Sequence, residues 1–248
     1  MGNVVTTKEY DIRYYEVDYK KRLFLKTMME YFSDTSTYQS EKLGVGIDYL
    51  KKNNLGWILY KWDIKIKEYP LYGETVKVST EAYGINKFYA YRKFKIENQS
   101  GEVIVEADSI WLLLDIERRR PVRVNEEMFK AYGVEGNGVK TIDIENIAEI
   151  TEVDGEKFFN VRYSDIDTNR HVNNVKYVEW ALEVVPTDVM INRKLNRIKI
   201  TYNKETTYGE TVKAKIQKVE SEENGIKYLH AIEDSEGKEL TRIETVWE

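Results

Sequence analysis

The sequence predicts an α+β fold in which one plan of a helix and a sheet occurs twice. Three observations support it: the chain repeats itself, each repeat holds one helix-like run, and each such run precedes four strand-like runs with alternating apolar residues. The clearest repeat is YGETVK, which stands at 72–77 and again at 208–213. We therefore expect two similar α+β units in one chain.

The first copy is predicted to open with a short strand at 10–15 and a polar loop before its long helix, at 23–43. Its alternating apolar runs predict four strands, at 57–67, 74–83, 87–97 and 103–116. Between them, GIN at 84–86 and NQSG at 98–101 are rich in residues typical of turns, and both are expected to break the sheet.

The second copy follows the same plan with a shorter helix. A strand is expected at 158–163, and the helix is expected at 173–184, with Pro186 ending it. Four further strands are predicted, at 195–203, 210–219, 225–233 and 240–247. The long strands of each copy would form an antiparallel sheet whose apolar face is covered by the helix.

These elements divide the chain into an N-terminal domain at 1–135, a linker at 136–155 and a C-terminal domain at 156–248. Glycines are frequent where the linker begins, at 133, 136 and 138. Their order is not that of a dinucleotide fingerprint, and no strand-to-helix unit surrounds them. The linker is therefore predicted to be a connector and not a phosphate loop.

Composition excludes several classes of function. The net charge of -5 argues against general binding of nucleic acid, which depends on neutralising phosphates. The chain has no cysteine and only two histidines, so thiolate nucleophiles, disulfides and histidine-rich metal sites are excluded, and no metal or cofactor is expected. No apolar run has the length of a membrane span, and no signal peptide is recognisable, so a cytoplasmic protein without stable membrane insertion is expected.

Comparison of the two copies isolates a candidate site. Asp167 has an equivalent in the first copy, Asp18, so part of its role should be structural. Three other polar residues have no such equivalent in the first copy. Asn169 corresponds to Lys20, His171 to Arg22 and Glu205 to Tyr69. Because a structural role should recur in both copies, this asymmetry places the candidate site in the C-terminal half.

The residues around this site also resemble a known family. DTNRHVNNVKY at 167–177 resembles the active-site block of the acyl-acyl-carrier-protein (acyl-ACP) thioesterases, and ITYNKE at 200–205 resembles their second catalytic block. The stretches 68–76 and 100–111 are similar to the same family, so the likeness covers nearly the whole chain. It implies two tandem hot-dog domains, each a long helix wrapped by an antiparallel sheet.

By this resemblance, the catalytic residues would be Asp167, Asn169, His171 and Glu205. Many plant members have a cysteine just after the glutamate, but this chain has Thr206 there, which rules out acyl transfer through cysteine. The simplest nucleophile is then a water activated by Glu205 with His171, while Asn169 binds the carbonyl or orients the water and Asp167 holds the loop. Direct attack by Asp167, forming an anhydride, is the alternative.

The acyl chain would occupy an apolar tunnel in the N-terminal copy, with Met28, Met29, Phe32 and Trp57 as candidate lining. The expected partner is acyl carrier protein, an acidic protein that would dock on a basic surface. Two basic stretches qualify, residues 20–22 and the arginines at 118–120 and 123.

The resemblance implies hydrolysis of fatty acyl-ACP, which releases free fatty acid and ends fatty acid biosynthesis. One alternative is a hot-dog thioesterase that acts on acyl-CoA, since the shorter pattern D-x-x-x-H-V-N-N is shared with such enzymes. The other is a hot-dog protein that binds acyl groups without catalysis. Either a monomer or a homodimer is compatible with a fused pair of domains.

Overall fold

The computed structural model describes residues 3–134, 140–219 and 225–248. The chain forms two compact units. The first comprises Met1–Tyr60 and Ile66–Ile144, and the second comprises Lys61–Lys65 and Glu145–Glu248. In each unit a helix packs on an antiparallel sheet, so the predicted α+β class and the two tandem hot-dog domains are confirmed.

The first unit begins with strand β1 and a 3-10 turn, followed by helix α1, which is the longest helix described. The strand order of its sheet is β1-β3-β4-β5-β2, with the short β6 paired to β5. The elements are β1 (Val5–Asp11), the 3-10 turn (Tyr14–Glu16), α1 (Leu25–Lys42), α2 (Ile47–Lys52), β2 (Leu55–Ile66), β3 (Thr75–Asn86), β4 (Tyr89–Glu97), β5 (Val103–Asp115), β6 (Arg120–Pro121) and α3 (Glu126–Ala131).

The second unit repeats this order of elements with a helix half as long. Its sheet starts with the Lys61–Lys65 segment of β2 and continues through β8, β11, β10, β9 and β7. The elements are β7 (Gly155–Asn160), a 3-10 turn (Tyr163–Asp165), α4 (Asn174–Leu182), α5 (Thr187–Asn192), β8 (Leu195–Tyr202), β9 (Thr211–Val219), β10 (Ile226–Glu233) and β11 (Glu239–Trp247).

Each long helix forms because its apolar residues recur every three or four positions and face the sheet. On α1 this face includes Met28, Met29 and Phe32, each at most 1% exposed, and the Phe32 ring lies 5.0 Å from that of Phe94 on β4. On α4 the buried residues are Val175, Tyr177, Val178, Trp180 and Ala181. Asn173 caps α4 by accepting a hydrogen bond from the Val175 amide, as its position predicted.

Three predicted boundaries are wrong. The first strand of each copy was expected at 10–15 and 158–163, but β1 and β7 end at Asp11 and Asn160. The aromatic residues that extended each strand pattern lie instead in 3-10 turns. Each turn is capped by an arginine and an acidic residue, which are Arg13 and Glu16 in the first unit and Arg162 and Asp165 in the second. The residues 84–86 are not a break, because a bulge between Ala82 and Gly84 lets β3 continue.

The segment 140–154 contains neither helix nor strand, yet both of its ends are tied down. Ile144 is buried against Tyr91 and Ile110 of the first unit. In the second unit, the Arg242 guanidinium donates to the Ile147 carbonyl at 3.1 Å and contacts Glu149 at 3.2 Å. The linker was predicted at 136–155, and its glycines at 136 and 138 lie outside the described residues.

Among the described residues, every helix is too short or too polar to span a bilayer.

Candidate active site

The loop between β7 and α4, residues 165–173, is called the copy-two loop, and its backbone folds around Asp167. The amide of Asp167 donates to the His171 carbonyl at 2.9 Å, and the amide of Arg170 donates to the Asp167 carbonyl at 3.1 Å. The Asp167 carboxylate accepts the amide of Asn169 at 2.8 Å. Arg170 takes the left-handed conformation, with φ of 66°, which allows the chain to turn back. Asp167 thus holds the tip of the loop.

The base of the loop is fixed by a second carboxylate, Asp165, which is 1% exposed. It accepts the Arg162 amide at 2.8 Å and lies 3.2 Å from the Arg162 guanidinium and 3.7 Å from the Lys176 ammonium. Burial opposes ionisation of Asp165, but these Arg162 contacts and the Lys176 charge outweigh it and lower the pKa of its carboxyl. Asp165 is therefore an ionised structural residue, and its first-unit counterpart, Glu16, accepts the Arg13 amide at 2.8 Å.

The loop brings His171 beside Glu205, which follows strand β8. The Nδ1 atom of His171 lies 3.3 Å from the Oε2 atom of Glu205. The two segments are joined directly behind this pair, where the Val172 amide donates to the Thr206 carbonyl at 3.0 Å. The side chains of His171 and Glu205 are 37% and 50% exposed, so substrate and water can reach both.

Tyr177 on α4 supports the Glu205 segment from inside, and the sequence interpretation assigned it only to the core. Its hydroxyl oxygen accepts the buried amide of Thr206 at 3.1 Å. Burial, opposed by the Thr206 contact and assisted by the negative charges of Glu205 and Asp167, raises the pKa of Tyr177 to about 12. The counterpart of Tyr177 in the first copy is Met28, so the asymmetry between the copies was a signal for it.

Asn169 is exposed at the loop tip, and its backbone amide is held by Asp167. Across the described ranges, the side-chain amide of Asn169 has no hydrogen-bond partner. The structure thus brings His171 and Glu205 into contact, ties Asp167 to Asn169 through the backbone, and leaves Asn169 exposed.

The first unit has the same loop with different side chains, at residues 16–24, called the copy-one loop. The Asp18 carboxylate accepts the amides of Lys20 and Arg22, at 2.8 and 2.9 Å, and also binds the Arg22 guanidinium at 2.7 Å. The Arg22 guanidinium carbon lies 5.2 Å from the centroid of the Tyr69 ring. An ion pair stacked on a ring therefore occupies the position of His171 and Glu205.

The four residues proposed to line an acyl tunnel lie in two places in the first unit. Met28, Met29 and Phe32 share the buried face of α1. Trp57 on β2 is partly buried and packs against a separate cluster, formed by Val45, Ala82, Ile85, Leu113, Val124, Met128 and Tyr132. Within the described parts of the chain, no group of three or more metal-ligating side chains is found.

Comparisons with known proteins extend over almost the whole chain. The model of the acyl-ACP thioesterase N-terminal domain matches residues 3–132, and that of the acyl-ACP thioesterase C-terminal domain matches residues 148–248.

Among curated relatives, a chloroplast acyl-[acyl-carrier-protein] hydrolase of Cuphea viscosissima is 26% identical over 98% of this chain and 62% of its own. A chloroplast palmitoyl-acyl carrier protein thioesterase of Gossypium hirsutum is 24% identical over 98% of this chain and 64% of its own. The chain thus spans about three fifths of the length of these curated relatives.

Solved structures agree in fold. A protein provisionally named an oleoyl thioesterase, from Lactobacillus plantarum, superposes with a TM-score of 0.93 at 27% identity, covering 99% of this chain and 96% of the other. A 12:0-ACP thioesterase from Umbellularia californica superposes with a TM-score of 0.86 at 23% identity, covering 98% and 94%.

Proposed function

The chain belongs to the acyl-ACP thioesterase family, and from this premise we propose that it hydrolyses fatty acyl-ACP to free fatty acid and carrier protein, ending fatty acid biosynthesis. The observation that carries the proposal is the contact of His171 with Glu205 on a loop held by Asp167. A cytoplasmic location and a monomeric or homodimeric state are parts of the same proposal.

The proposed nucleophile is a water molecule. If His171 turns its Nδ1–H towards Glu205, from which Nδ1 is 3.3 Å distant, its Nε2 atom keeps the lone pair. The pair would then take one proton from water while the water oxygen attacks the thioester carbonyl carbon. The chain has no cysteine to attack instead.

The tetrahedral intermediate would carry its negative charge on the former carbonyl oxygen. The exposed amide of Asn169 is the proposed donor to this oxygen, since its NH2 group is available and its backbone is fixed by Asp167. When the intermediate collapses, the carbon–sulfur bond breaks, the acid leaves, and the proton held by the His171–Glu205 pair passes to the thiolate of the carrier.

The N-terminal domain, proposed at 1–135, would hold the acyl chain, and the C-terminal domain at 156–248 would carry the chemistry. In the first unit His171 and Glu205 are replaced by the Arg22 and Tyr69 stack, which offers no base for water. Met28, Met29 and Phe32 form the apolar face of α1 and are the proposed lining. Trp57 packs against another cluster and is the fourth proposed lining residue.

The test is thiol release from a panel of acyl chains, each offered on carrier protein and on coenzyme A. We expect preference for the carrier-protein esters in the wild type and loss of turnover in His171→Ala. The matched control is Lys238→Ala, at an exposed residue of the same unit, which should keep wild-type turnover.

Equal or better hydrolysis of coenzyme A esters would assign the chain to the acyl-CoA thioesterases instead. A folded wild type that hydrolyses neither ester would support the third candidate, a hot-dog protein that binds acyl groups without catalysis.

A further inference from the structure

Four exposed tyrosines cluster on the first unit beside the copy-one loop. Tyr14, Tyr15, Tyr19 and Tyr72 are between 47% and 80% exposed. Large aromatic side chains are seldom left in water as a group unless they bind something, and tyrosine is enriched in protein–protein interfaces. Together with Lys20 and Lys21 we call these residues the tyrosine–lysine patch.

The patch is continuous although it comes from two segments of the chain. A β-bridge joins Arg22 to Leu71, and the Tyr72 amide donates to the Lys21 carbonyl at 2.9 Å. The rings of Tyr14 and Tyr72 meet edge to face, with centroids 5.9 Å apart. These contacts join the two segments and hold the Tyr14 and Tyr72 rings against each other.

The patch carries positive charge on a chain whose net charge is -5. Lys20 and Lys21 are exposed, and Lys21 holds the left-handed turn with φ of 64° at the tip of the loop. Arg13 is exposed next to them and donates to the Tyr15 hydroxyl at 2.9 Å. The charge of Arg22 is paired with Asp18 within the loop, and the exposed cations of this surface are Lys20, Lys21 and Arg13.

The second unit shows which part of the patch is scaffold. Its Tyr163 and Tyr208 repeat the edge-to-face pair of Tyr14 and Tyr72, with centroids 6.4 Å apart. Lys21 is matched by another cation, Arg170, whereas Tyr15, Tyr19 and Lys20 become Ser164, Thr168 and Asn169. Two aromatic rings and one cation are therefore specific to the first unit, where the same loop has no base for hydrolysis.

We propose that the tyrosine–lysine patch is the surface on which the acidic acyl carrier protein docks, an inference that rests on the proposed function. Lysine ammonium groups and tyrosine hydroxyls both bind carboxylates, and the rings supply apolar contact in the centre of such an interface. Opposite charges on the two proteins would speed their encounter and fix their register. The loop that lost its catalytic side chains would in this way recognise the carrier.

The rival basic surface is the arginine run at 118–120. It is exposed, but Arg118 pairs with Asp115 at 3.7 Å. Beside it lies Ile116, an apolar side chain that is 55% exposed, and the segment 116–123 contains no aromatic residue. It offers charge without the aromatic contact that a stable interface uses. This run therefore supplies the control for the test.

The experiment compares Lys20→Glu/Lys21→Glu with Arg119→Glu/Arg120→Glu, two variants with the same change in net charge. Steady-state kinetics are measured with a carrier-protein ester and with a pantetheine ester of the same acyl group. For the patch variant we expect KM for the carrier-protein ester to rise about tenfold, which corresponds to about 1.4 kcal/mol, with kcat unchanged. KM for the pantetheine ester should not change in either variant.

A second variant removes ring area without altering charge. Tyr15→Ser/Tyr19→Ser should also raise KM for the carrier-protein ester and leave the pantetheine ester unaffected. The wild-type KM for the carrier-protein ester should rise with salt, and this dependence should weaken in the lysine variant.

An unchanged KM in both patch variants, with a wild type that is active on the carrier-protein ester, would overturn the docking surface and leave the function intact. A KM effect in the arginine variant alone would move docking to the rival run.

Binding of the wild type to anionic phospholipid vesicles, lost in the lysine variant while carrier kinetics stay normal, would assign the patch to a membrane and overturn the proposal. A wild type inactive on all esters would instead refute the function, and titration with unacylated carrier protein would then test docking alone.

Discussion

The copy-two loop and the copy-one loop share a backbone and differ in chemistry. In both, the aspartate amide bonds to the carbonyl four residues later, at 2.9 Å for Asp167 and 2.8 Å for Asp18. Both turn through a left-handed residue, Arg170 or Lys21. The copy-two loop then places a histidine against a glutamate, whereas the copy-one loop closes on its own ion pair. The conformation is thus a property of the scaffold, and reactivity depends on a few side chains added to it.

The largest expected effect follows from removing Glu205, because the first unit keeps the same local fold with Tyr69 at that position. Glu205→Gln should lower kcat by about 100- to 10,000-fold, the range typical of a lost general base. The melting temperature should change little. Turnover of acyl-ACP and thermal unfolding are measured beside Glu183→Gln, the same change at an exposed residue directly after α4, which should behave as wild type. Near-normal turnover in Glu205→Gln would exclude Glu205 from the mechanism.

The paired aspartates test whether Asp167 reacts or only holds its loop. Asp167→Asn keeps an oxygen that can accept the Asn169 amide, so it should retain most of the turnover, whereas Asp167→Ala should lose about 10- to 100-fold through misplacement of the loop. Complete loss of turnover in Asp167→Asn, with normal folding, would favour direct attack by the carboxylate.

The same substitution in the other loop should affect stability and not chemistry. Asp18→Ala removes the acceptor of two amides and of the Arg22 guanidinium, and should lower the free energy of unfolding by about 1–3 kcal/mol. Its kcat should stay at the wild-type value. A stability unchanged in denaturant titration would mean that the ion pair of the copy-one loop contributes nothing.

Tyr177 sharpens the comparison because its first-unit counterpart, Met28, has no hydroxyl. Tyr177→Phe leaves the buried Thr206 amide without an acceptor and should lower the free energy of unfolding by about 1–3 kcal/mol. Because Glu205 adjoins Thr206, the substitution should also lower kcat. This loss should be smaller than that of Asp167→Ala. Tyr228→Phe removes a hydroxyl from another buried tyrosine of the unit and serves as the control for kcat. Equal kcat in the two variants would deny Tyr177 a part in positioning Glu205.

The smallest effect is a pH dependence confined to the second unit. His230 on β10 is fully buried, stands where the first unit has Phe94, and lies 2.9 Å from the Thr245 hydroxyl. Burial lowers the pKa of His230 from its ordinary 6.5 to about 3, so the folded protein holds it neutral. As pH falls below 6.5 the unfolded chain gains a proton that the folded chain does not, and stability falls, by about 1 kcal/mol at pH 5.5.

Denaturant titrations at pH 7.5 and 5.5 measure this loss, and His230→Phe should reduce it. Thr245 would still accept the Trp247 indole N–H, as Ser109 accepts that of Trp111 beside Phe94 in the first unit. An equal loss in wild type and variant would assign the acid sensitivity to other groups.

Sequence alone predicted the repeat, both long helices and the eight long strands to within a few residues, because these depend on local periodicity. It misplaced β1 and β7, since Tyr14 and Tyr163 have strand-like side chains but lie in 3-10 turns closed by an arginine and an acidic residue. It missed α2, α3 and α5, which are six residues each and too short to show a period.

The site was predictable as a set of residues, and the structure adds the contact between His171 and Glu205. Their separation depends on how the segment after β8 lies against the copy-two loop, which no local pattern encodes. The same holds for Tyr177: the asymmetry with Met28 marked its position, but its hydrogen bond to an amide 29 residues along the chain depends on the tertiary fold.

The division of strand β2 between the units has a consequence for cutting the gene in two. Residues Lys61–Lys65 belong to the second unit, where they pair with β8 and where Asp63 binds the Arg197 guanidinium at 2.7 and 2.8 Å. A fragment starting at Glu145 would lack this strand, leaving the β8 edge with open hydrogen-bonding groups and Arg197 without its carboxylate. Such edges recruit other strands, so the isolated C-terminal half should self-associate, and adding a peptide of residues 55–66 should return it to solution as a complemented fragment.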